Sequence, residues 1–61
     1  MALSRKHYQQ VAKDLHWRLD HAQDDSERRG ITLVASDLAI FFAQDNGRFN
    51  RSRFLEAAGI E

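Results

Sequence analysis

The 61-residue chain has no cysteine, no proline and only three glycines. The missing cysteine excludes disulfides, thiolate metal sites and cysteine nucleophiles. With no proline and little glycine, long stretches contain nothing that breaks a helix, which favours helix throughout. Net charge is also missing: nine basic side chains balance nine acidic ones. A protein that mainly coats nucleic acid needs a strong basic excess, so this balance argues against nucleic acid as the principal partner, while leaving room for a local basic patch. No apolar run approaches the roughly 18 residues that span a bilayer. The first residues, MALSRKHYQQ, lack the apolar stretch of a signal peptide. The expectation is therefore a protein that inserts in no membrane and stays in the cytoplasm where it is made.

Size sets the next limit. A chain of this length is one domain at most, residues 1–61, and below roughly 70–80 residues a single core rarely supplies more than about 3–5 kcal/mol. With disulfides excluded, regular helix packing and self-association are the remaining sources of stability. The segment from Phe49 to Glu61 (FNRSRFLEAAGIE) spells out a short helix, about 51–58, with both ends specified. Asn50 is a good N-cap, and Phe49 and Phe54 are spaced to clasp as a hydrophobic staple. Gly59 can supply a left-handed residue that lets Ile60 fold back on Leu55. So short a helix must dock on something else to persist in water.

Two longer helices precede it. Ser4 is a plausible N-cap for a first helix, about 5–24, in which Tyr8, Val11, Ala12, Leu15, Leu19 and Ala22 form one apolar stripe. Ser26 or Asp25 can cap a second helix, but Gly30 blurs its start, and Ile31 or Thr32 is the conservative boundary. This gives a range of about 31–45 with a stripe of Ile31, Val34, Ala35, Leu38, Phe41 and Phe42. Asn46 and Gly47 offer two C-caps. The short connection makes the pair an antiparallel hairpin, with the third helix folded over one open side or end.

Some residues do not fit these stripes. Trp17 lies about 180° around the first helix from Tyr8, and Leu33 and Ile40 lie similarly opposite Ile31 on the second. One short helix can hardly cover both outer faces of a hairpin, so Trp17, Leu33 and Ile40 are candidate interface residues. Self-association into a helical bundle and a foreign protein surface are the two competing uses. Arg48, Arg51 and Arg53 cluster around the third helix among phenylalanines, as on single-strand nucleic-acid surfaces. They are candidates for an acidic partner or nucleic acid, although pairing within the chain or solvation accounts for them more simply. His16 and Asp20, four residues apart, read as a surface pair rather than half of a metal site. No nucleophile elbow or phosphate loop is present, and no metal or cofactor is expected. The expectation is a protein without enzymatic activity.

The block from Asp37 to Gly59 (DLAIFFAQDNGRFNRSRFLEAAG) resembles the tails of small uncharacterised proteins of actinobacteriophages and prophages. The shared elements are Asp45–Asn46, Arg48–Phe49, Arg51–Ser52–Arg53–Phe54–Leu55 and Ala58–Gly59. Gly47 and Asn50 stand where those proteins often have proline and aspartate. The resemblance covers about a third of the chain. It implies a phage or prophage origin inside a bacterial host cytoplasm, and brings no activity with it.

Together these readings give an all-α fold: a helical hairpin and a short third helix, dimerised into a bundle. The expected function is a non-enzymatic protein–protein interaction module, a phage accessory protein that binds and modulates a host protein. The alternative is a small nucleic-acid-binding or transcription-modulating protein that uses the arginine cluster.

Overall fold

A computed structural model describes residues 3–60. Three helices follow in order, α1 (Arg5–Asp20), α2 (Asp25–Asp45) and α3 (Arg51–Ala57), and there is no strand among the described residues. Each helix packs on the other two. Tyr8, early in α1, stacks against Phe42, late in α2, with ring centroids 4.9 Å apart, as an antiparallel hairpin requires.

The helix ends explain the boundaries, including two that differ from the sequence expectation. Ser4 starts α1 from an extended backbone. Its N–H donates to Nδ1 of His7 at 3.1 Å, so a histidine fills the place that a capping box usually gives to Glu or Gln. The helix stops at Asp20, not Asp24. The His21 N–H makes the last bond to the Trp17 carbonyl at 3.1 Å, and the His21 ring folds back on the same oxygen, with Nδ1 2.9 Å from it. Asp24 is needed elsewhere: extended at φ −156°, it accepts the Glu27 N–H at 2.8 Å and caps α2. That cap fixes the start of α2 at Asp25, six residues before Ile31. Gly30 is carried inside the helix at an exposed position with nothing within 4 Å of where a Cβ would stand, so its cost is only conformational.

α2 ends on Asn46, whose N–H donates to the Phe42 carbonyl at 2.9 Å while its side chain accepts the Arg48 N–H at 3.0 Å. The chain then turns into α3. There the Asn50 side chain accepts the Arg53 N–H at 3.0 Å, and the Phe49 and Phe54 rings clasp at 5.4 Å. Gly59, at φ +83°, closes the far end: its N–H donates to Glu56, and the Ile60 N–H to Leu55, both at 3.0 Å, which is a Schellman stop. This turn sits against α1. A Cβ on Gly59 would come within 2.9 Å of His16 Cδ2, so a glycine is required by space as well as by conformation.

The core has two parts. At the open end of the hairpin Tyr8, Phe42, Phe49 and Phe54 pack edge to face and tilted, with centroids 4.7 to 5.6 Å apart, within the favourable range for aromatic pairs. Towards the middle, Ala12, Ala35, Ala39 and Ala58 are buried together with Leu15, while Leu19 is buried outside this cluster. Side chains this small let three helices approach closely. The Tyr8 hydroxyl is buried with no hydrogen-bond partner, a local cost of about 1–3 kcal/mol.

Candidate interaction surface

The stripe expected on α2 is corrected at three positions. Val34 and Phe41, placed in the core by the sequence pattern, face outward, and Ala39, absent from that stripe, is buried. Bulk misled the reading. The buried arc runs through Ala35, Ala39 and Phe42, each one helical turn from the last, and Val34 and Phe41 lie about 100° to one side of it. With α1 and α3 both against α2, the residues between them have to be small.

The exposed large apolar residues are Trp17 (52%), Leu33 (60%), Val34 (53%), Ile40 (46%) and Phe41 (61%). The three interface candidates are thus all exposed, and the structure adds Val34 and Phe41 to the two on α2. Heptad spacing links Leu33 to Ile40 and Val34 to Phe41, so the four form two short rows along one side of the helix. Asp37 lies between the rows and is also exposed. Val34 and Phe41 each follow one residue after Leu33 and Ile40, so the adjacency was in the sequence, but their place in the expected core stripe concealed it.

Trp17 is a separate case. It lies on α1, about half exposed. Its indole is stacked on the His21 ring at 3.9 Å and 13°, and the Arg18 guanidinium lies 5.3 Å from its centroid. The same histidine therefore caps α1 and covers part of the indole.

The arginine cluster is rearranged. Arg48 and Arg53 line a cleft of about 300 Å³ between α1 and α3, together with Arg5 of α1, over a floor that includes Tyr8, Phe49 and Phe54. Arg51 is not among the cleft residues, and Arg5 was missed because it is far away in sequence. No acidic side chain lines the cleft among the described residues. The one ion pair among the described residues is His16 Nε2 to Asp20 Oδ2, 3.7 Å and exposed. No group of three or more potential metal-ligating His, Cys, Asp or Glu comes together among the described residues. No described helix is long and apolar enough to cross a membrane. The chain matches no family model, no curated protein and no solved structure.

Proposed function

We propose that this chain is a non-enzymatic protein-binding module whose working surface is the outer face of α2, with Trp17 of α1 as a second contact. The observation that carries this reading is the exposure of Leu33, Val34, Ile40 and Phe41 together on one side of one helix. Contiguous apolar patches on small proteins mark interfaces, and anchors at i, i+1, i+7 and i+8 suit a partner helix laid alongside. The two candidate occupants are a second copy of the chain, which would complete a helical-bundle dimer, and a foreign helix. In the setting implied by the tail resemblance, the module is a phage or prophage accessory protein in the bacterial cytoplasm that acts by binding a host protein, with no cofactor or metal.

The test is affinity capture from an actinobacterial lysate with wild type, Leu33→Ser/Phe41→Ser and Trp17→Ala side by side, helix content being checked by circular dichroism. A host protein retained by wild type and lost with the double variant at unchanged helicity is the expected result. Equal retention by all three would sink the reading.

A second reading rests on the cleft: Arg5, Arg48 and Arg53, with no acid lining it among the described residues, suit the phosphates of a single strand, and the half-buried Phe49 suits one base. Counterion release makes such binding fall steeply with salt. No shift of a single-stranded oligonucleotide at low ionic strength would remove it.

A further inference from the structure

Asp37 occupies the middle of the α2 face. The surface neighbours of a helical residue are those three and four positions away. For Asp37 these are Val34, Leu33, Ile40 and Phe41, the four large apolar residues that α2 leaves exposed. None of them can offer its carboxylate a charge or a hydrogen bond, and no ion pair involves it among the described residues. Water solvates it in the free protein. A partner that covers the four apolar side chains also covers the carboxylate they surround, and a carboxylate removed from water without a counter-charge is strongly unfavourable.

This constrains the occupant. A second copy pairing α2 with α2 antiparallel about its middle would match Leu33 to Phe41 and Val34 to Ile40, which is favourable. The same two-fold axis would set Asp37 against itself. A parallel pair in register does likewise. Resting on the reading of this face as a contact surface, we infer that it takes an amphipathic helix with an arginine or lysine at the centre of its apolar stripe, and that Asp37 turns away a second copy of the chain. Arginine suits best, because its stem lies along apolar neighbours while its planar head meets the carboxylate with two hydrogen bonds.

The protein itself supplies the probe. Asp37→Arg keeps the apolar frame and puts a cation at its centre. Sedimentation equilibrium is run on wild type, Asp37→Arg, Asp37→Leu and an equimolar mixture of wild type with Asp37→Arg, all carrying Trp17→Ala to silence the other outer face. The expected result is that the mixture forms a 1:1 complex at least about tenfold tighter than either component with itself, weakened by salt, while Asp37→Leu associates with itself. Wild type associating with itself as tightly as the mixture would overturn the inference. So would a mixture that fails to associate while Asp37→Leu does, and the contact surface would then stand without its charge selectivity. If Asp37→Leu and the mixture both stay monomeric, the face is not adhesive, and the broader reading falls as well.

Discussion

The two sides of α2 reverse the usual distribution of bulk. Inward it presents Ala35, Ala39 and Phe42, with Ile31 and Leu38 half-buried beside them; outward it presents Leu33, Val34, Ile40 and Phe41. Fully burying a side chain of the outward type contributes about 1.5–3 kcal/mol. A chain this small commands only about 3–5 kcal/mol in total, so leaving four such residues in water is a large omission. The inner side shows why it happens. α1 and α3 both lie against α2, and alanine at the crossing allows that approach where leucine would hold the helices apart. The difference between the sides separates what α2 does for its own fold from what it offers to something else.

Adjacent residues test that division most sharply. Phe42→Ala, on the inner side, removes a ring that touches Tyr8, Phe49 and Phe54 and should cost about 3–5 kcal/mol. That is enough to unfold the chain, seen as loss of the helical circular-dichroism signal at 25 °C. Ala39→Leu should cost about 1–3 kcal/mol by overpacking, read from the midpoint of urea unfolding; a cost below about 0.5 kcal/mol would mean that the crossing is looser than described. Tyr8→Phe deletes the unpartnered hydroxyl and should gain about 1 kcal/mol, raising the thermal midpoint by about 4–8 °C. Phe41→Ser, one residue from Phe42, should change stability by no more than about 0.5 kcal/mol, and a larger loss would return Phe41 to the core.

How much of this was legible in the sequence depended on whether the signal was local. The cap at Asn50, the Phe49–Phe54 clasp and the Gly59 stop each involve residues within a few positions of one another, and all formed as read. The boundary between α1 and α2 was misplaced because both helices had a claim on the same segment. Asp24 can end one helix or cap the next, and the bond it accepts from the Glu27 N–H, which assigns it to α2, is not announced by the sequence pattern. The inner face of α2 was misread for a tertiary reason: periodicity gives the angle of a stripe to within a residue or so, and bulk then chose Val34 and Phe41 over Ala39. Nothing local announces that a third helix will press on the same helix. The cleft arginines show the same limit, since Arg48 and Arg53 were visible together and Arg5 joins them only through the fold.

The contact between Trp17 and His21 makes the chain its own fluorophore assay. There is one tryptophan, and its emission reports on a ring held against it at 3.9 Å. A ligand that lands on α1 must slide that imidazole aside or bury the indole further, and either event changes the colour or yield of the emitted light. Titrating a binder into the unmodified protein while watching a single optical signal thus tells whether it reaches the indole.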